Sequence, residues 1–166
     1  MAAADLAVGE KKSTEVAGAD CGHSWTIPDV SKLVDGKFSC SEAFNVDGFW
    51  FRLRARQSKW MEYATFALFL ECDLEKSGID PGMKYFVRAE TQFMFKNVKT
   101  NEMKSFHTPT FDNYANDMRD WGYTDALNKT WSELTRADSE YVTQLDTMEV
   151  AVTVKVIRHG INSGTL

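Results

Sequence analysis

The residues able to perform chemistry are few in this chain and stand apart from one another. Its three histidines, His23, His107 and His159, are isolated in the sequence. Cys21 lies two positions before His23, but a Cys-x-His pair without a second ligand pair is a weak zinc signal beside the plainer reading of chance neighbours. The three cysteines, Cys21, Cys40 and Cys72, contain no CxxC, and Cys40 and Cys72 read as small buried hydrophobes rather than nucleophiles. Nucleophile elbows, HExxH helices and glycine-rich phosphate loops are missing from the sequence. The carboxylate pair Asp138 and Glu140 falls in a polar stretch, where a solvated surface is the default. The expectation is a non-catalytic binding domain with no catalytic residue, no metal and no cofactor.

One segment has a composition suited to recognition, namely Arg119-Asp120-Trp121-Gly122-Tyr123. A tryptophan flanked by charge and followed by glycine can present its ring beside exposed backbone, the usual make-up of a peptide anchor. From these residues alone a core position for Trp121 is equally open, and Tyr123 reads as core.

The whole-chain composition narrows the partners. A formal net charge of −5 disfavours nucleic acid and anionic membrane, which both reward excess Lys and Arg. No stretch approaches the roughly 20 apolar residues that span a bilayer, and the N-terminus has no apolar core of the signal-peptide kind. An odd number of widely spaced cysteines suits a reducing compartment, so a cytoplasmic or nuclear location is expected. The sequon Asn128-Lys129-Thr130 then reads as chance.

Residues 1–22 are small, charged and aperiodic, which predicts a disordered tail; a domain is expected over 23–157 and a C-terminal tail over 158–166. Alternation dominates the domain. Phe66, Leu68, Leu70 and Cys72 recur at period two, as do Tyr85 to Phe95 and Met148 to Val156, the pattern of half-buried strands. Shorter strands are expected at 24–27, 37–38, 44–46, 50–55 and 103–107, separated by turn residues such as Asp47-Gly48 and Pro81-Gly82. Leu127, Trp131 and Leu134 fall at i, i+4 and i+7 and predict one short helix. Many short strands with frequent turns give an all-β, antiparallel sandwich or barrel.

Several segments then align with one family in order. Arg119-Asp120-Trp121-Gly122-Tyr123 resembles the Asp-Trp-Gly-Phe signature of MATH domains. His23–Ile27, Ser39–Phe44, Phe51-Arg52-Leu53, Phe69–Cys72 and Asp146–Val150 resemble its other marks. The likeness runs from about His23 to Val156, and Phe69–Cys72 with Trp131–Leu134 are similar to MATH domains of the ubiquitin-specific protease type.

The resemblance implies an eight-stranded antiparallel sandwich with a shallow groove, where short unstructured peptide segments of partner proteins add as an extra strand. By position Asp120 would accept hydrogen bonds from a peptide of small residue–x–x–Ser type, and Trp121 would pack its small residue. Arg119, Asp125 and Arg56 complete the implied peptide-binding set. Arg56 is the nearest arginine to the one that assists serine recognition, since Gln57 stands where the family has proline. Ala67 and Thr91 replace groove aromatics found in ubiquitin-ligase adaptors. The implied role is substrate or regulator recruitment in the ubiquitin pathway by a monomer. The alternative is an oligomerisation domain of the TRAF adaptor kind, whose coiled coil the tail lacks.

Overall fold

The computed structural model describes residues 21–161. In chain order the strands are β1 (Cys21–Ile27), β2 (Ser39–Cys40), β3 (Phe44–Val46), β4 (Phe49–Trp60), β5 (Tyr63–Asp73) and β6 (Tyr85–Asn97). There follow β7 (Glu102–Lys104), β8 (Thr110–Ala115), β9 (Asp120–Tyr123), the helix α1 (Trp131–Leu134) and β10 (Met148–Ile161). All pairings are antiparallel and form two sheets.

The first sheet runs β1-β10-β6, with β7 and β8 sharing the far edge of β6. The second runs β4-β5-β9, with β2 and β3 sharing the outer edge of β4. Ten strand segments thus occupy eight strand positions, four per sheet, because two edge strands are each broken into two pieces. That is the eight-stranded arrangement expected of the chain. The hairpin joining β3 to β4 is as tight as a chain allows: Asp47 and Gly48 both take positive φ, at 53° and 89°, the backbone of a two-residue I′ turn.

Period-two alternation explains what lies between the sheets. Phe51, Leu53 and Ala55 from β4, Phe66, Leu68, Leu70 and Cys72 from β5, and Val87, Ala89 and Phe95 from β6 are buried, as are Val150, Val152 and Val154 of β10. Truncating one of the larger ones to alanine costs about 2–5 kcal/mol. A helix forms over only the second half of the predicted stretch: Leu127 lies before it, where Asn128 takes a positive φ of 55°. The four-residue α1 is sealed by a reciprocal capping box between Thr130 and Glu133 and drops Leu134 into the core. Asp146 pins the entry to β10 against the turn that follows β1. Its carboxylate accepts from the Ser31 amide at 3.0 Å and the Ser31 hydroxyl at 2.6 Å, and its carbonyl accepts from the Val30 amide.

Some expected boundaries move. Cys21 and Gly22, placed in the tail, belong to β1 and pair with Val154 and Thr153. Residues 158–161, also placed in a tail, continue β10 beyond a bulge at Ile157 and pair with Arg88 to Tyr85. The bulge hid them, because an extra residue breaks the period. The strand expected at 37–38 forms instead at Ser39–Cys40, leaving Lys37 with a single bridge to Val34. Residues 1–20 and 162–166 of the expected tails lie outside the described residues.

Candidate functional site

β9 carries the segment singled out from the sequence, and it closes one side of its sheet. It pairs with β5 alone, Leu68 opposite Tyr123, Phe69 opposite Gly122, Leu70 opposite Trp121 and Glu71 opposite Asp120. The Cys72 amide donates to the Arg119 carbonyl at 2.9 Å, so the bonded rungs of this ladder fall at Arg119, Trp121 and Tyr123. In an antiparallel pair the intervening residues turn their backbone groups the other way. The N–H and C=O of Asp120 and Gly122 therefore face away from β5. Among the described residues no backbone hydrogen bond outside the β5–β9 ladder uses either of them.

Gly122 is required where it stands. A Cβ on it would lie 2.1 Å from the Leu68 carbonyl oxygen and 2.6 Å from the Phe69 Cα. Only a residue without a side chain lets β9 come this close to β5.

Asp120 and Trp121 are neighbours in a strand and so project to opposite faces. Asp120 lies on the outer face of its sheet, where its Oδ2 accepts from Arg54 Nη1 at 2.9 Å. Arg54 reaches there from β4 across β5, also meets Glu71 at 3.6 Å, and lies over the Phe38 ring at 3.8 Å. Arg52 Nε donates to Glu71 in turn. Trp121 lies on the inner side, at the seam where the edges of the two sheets meet. Its indole Nε1 donates to the Asn113 carbonyl of β8 at 2.6 Å, which fixes the ring while 37% of the residue stays exposed. Tyr123, on the same side as Trp121, packs half-buried against the core and stacks on His107 at 3.7 Å.

The remaining expected residues are less tightly gathered. Arg119 leads into β9, with its guanidinium 3.4 Å from Glu75 and its Nε donating to the Asn116 carbonyl. Asp125 follows β9, and its Oδ1 is buried with no hydrogen-bond partner. Arg56 is not brought to Asp120: it pairs with Asp35 at 2.7 Å. The arginine that meets Asp120 is Arg54. Arg52, Arg54 and Arg56 share one face by strand period, so the signal for it was present, but which of them reaches β9 depends on register across two ladders.

The arrangement offers open strand edge, a fixed aromatic face and an oriented carboxylate. That can hold an extended chain. Burial pushes the Cys72 thiol up to about 12. Among the described residues no group of three or more His, Cys, Asp or Glu side chains could hold a metal ion, and no helix is long and apolar enough to cross a membrane.

Comparison with known proteins gives one family. The model of the MATH domain matches residues 27–156. No curated protein matches the chain. Among solved structures, TRAF5 of Notothenia coriiceps is similar at 10% identity, covering 82% of this chain and 74% of that one with a TM-score of 0.49.

Proposed function

Because the chain belongs to the MATH domain family, whose members are protein–protein interaction modules, we propose that it binds short extended peptide segments of partner proteins by strand addition to β9. The observation that carries this reading is the outward direction of the Asp120 and Gly122 backbone groups, which supply donors and acceptors at the spacing an added strand needs. Trp121 provides the apolar contact and Asp120 the polar one, held in place by Arg54.

The ligand class is the small residue–x–x–Ser peptide, with the small side chain against Trp121 and the serine hydroxyl donating to Asp120. The likeness of Phe69–Cys72 and Trp131–Leu134 to the N-terminal domain of the herpesvirus-associated ubiquitin-specific protease supports a recruiting role in the ubiquitin pathway. The domain acts as a monomer and leaves catalysis to other polypeptide.

Titrating a labelled Ala-x-x-Ser peptide by fluorescence anisotropy tests the proposal. The expected dissociation constant is roughly 1–100 μM, since such ligands bury little area. Asp120→Ala and Trp121→Ala should each weaken binding by about 1–3 kcal/mol while keeping the sandwich. Equal affinity of wild type and both variants would place the ligand elsewhere.

A further inference from the structure

We propose that the seam between β8 and β9 receives a basic side chain, Lys or Arg, of the bound segment, with Asp112 as its counter-ion. This rests on the reading of β9 as the peptide edge and assigns that peptide a charge requirement. Asp112 stands opposite Ala89 in the β6–β8 ladder, so it turns to the same inner side as that buried alanine, and it is itself half-buried. Its Oδ2 accepts from Thr110 Oγ1 at 2.8 Å. Thr110 in turn lies 3.3 Å from the hydroxyl of the buried Thr91.

On the outer face Asp120 is matched by Arg54 and Glu71 by Arg52, and Asp35 pairs with Arg56. Asp112, on the inner side, enters no ion pair among the described residues. A half-buried carboxylate with a single hydroxyl donor is poorly compensated. Its field is felt across the seam, where burial and then the Asp112 charge raise the Tyr123 phenol above its ordinary value.

Geometry gives a chain on β9 access to this charge. The Trp121 bond to the Asn113 carbonyl, one residue from Asp112, shows that β8 lies within a side chain's reach of β9. A strand added to β9 alternates its side chains, and those turned inward enter the same seam. The aliphatic stem of a Lys or Arg would lie along the Trp121 or Tyr123 ring while its charged end meets Asp112.

The test uses the Ala-x-x-Ser peptide with each flanking and intervening position set in turn to Lys, Gln or Glu, titrated against wild type and Asp112→Asn. At one inward position Lys should bind wild type roughly three- to tenfold more tightly than Gln, with Glu weakest and the gap closing as salt is added. In Asp112→Asn, whose amide oxygen can still accept from Thr110, the Lys-to-Gln ratio should fall to about one. The wild-type ratio stands whether or not the variant folds, and a melting curve reads the variant's folding. Peptides that bind in a Trp121-dependent way with equal Lys and Gln affinities at every position would overturn this inference and leave the β9 reading intact. A Lys preference that survives in folded Asp112→Asn would also overturn it. Failure of every peptide to bind would overturn both.

Discussion

Replacing Gly122 by alanine adds one carbon and two hydrogens, yet it should be among the most damaging changes on the surface of this domain. The added carbon would stand 2.1 Å from the Leu68 carbonyl oxygen, 2.6 Å from the Phe69 Cα and 2.9 Å from the Leu68 carbonyl carbon, all of them backbone atoms of β5. No rotamer change can relieve that contact, so β9 itself must move outward by about 1 Å. Overpacking of this kind costs typically 1–3 kcal/mol. The shift also stretches the rungs at Trp121 and Tyr123, each worth about 0.5–1.5 kcal/mol net. A loss of about 2–6 kcal/mol follows, which at roughly 2–4 °C per kcal/mol for a chain of this size lowers Tm by about 4–24 °C.

Chemical denaturation gives the free energy, and amide hydrogen exchange gives the place. Protection should fall at Trp121 and Tyr123 and stay unchanged at Val150 to Val154, in the other sheet. Ligand binding at β9 should be lost with it. A variant as stable as wild type, with Trp121 and Tyr123 still protected, would refute the claim that close approach to β5 is what demands glycine here.

Other substitutions probe separate parts of the argument. Arg54→Met should cost about 1–2 kcal/mol, because it strips Asp120 of its cation and leaves Glu71 with Arg52 alone, and it should weaken peptide binding beyond what Arg56→Met does; equal effects of the two would sink the Arg54 assignment. A thiol reagent at pH 8 should label exposed Cys40 in the native protein and spare Cys72, whose thiol is buried and held at about 12; mass mapping decides it. Glu133 accepts from the Thr130 amide and hydroxyl, which lower its pKa below the ordinary value of 4.5. Its contribution is therefore complete above that value and disappears as pH falls through the lowered one. Glu133→Gln should flatten the acid limb of helix stability, and a carboxyl titrating at or above 4.5 by NMR would contradict the capping box.

The long strands were legible because their inward residues recur at period two over many positions, as Phe66 to Cys72 and Met148 to Val156 do. The short helix was legible only in part: Trp131 and Leu134 belong to it, its start is marked by the Thr130–Glu133 pair, and Leu127 is buried from the bend before it rather than from a helical turn. β8 and β9 escaped the pattern for a physical reason. Each lies at an edge, where a residue such as Phe111, 52% exposed, or Trp121 need not obey an in–out alternation. The segment Arg119–Tyr123 stood out by its composition and was assigned to a binding edge by its likeness to the MATH signature, but the opposite facing of Asp120 and Trp121 follows only once β9 is known to be a strand. Arg54 and Asp112 were harder. Their partners are set by register across β5 and by how the two sheets meet, and neither is written in local spacing.

The shortness of β9 also sets a clock. Two residues, Asp120 and Gly122, offer four outward backbone groups at most, so an added chain gains few main-chain bonds before it runs off the end. With an affinity near 10 μM and association at roughly 10⁶ M⁻¹s⁻¹, a single segment leaves within about a tenth of a second. Such a contact samples many chains and commits to none. Longer occupancy has to come from arithmetic outside the groove, through repeated motifs in one partner or several domains on one scaffold, where tethering raises local concentration and each departure is followed by rapid return.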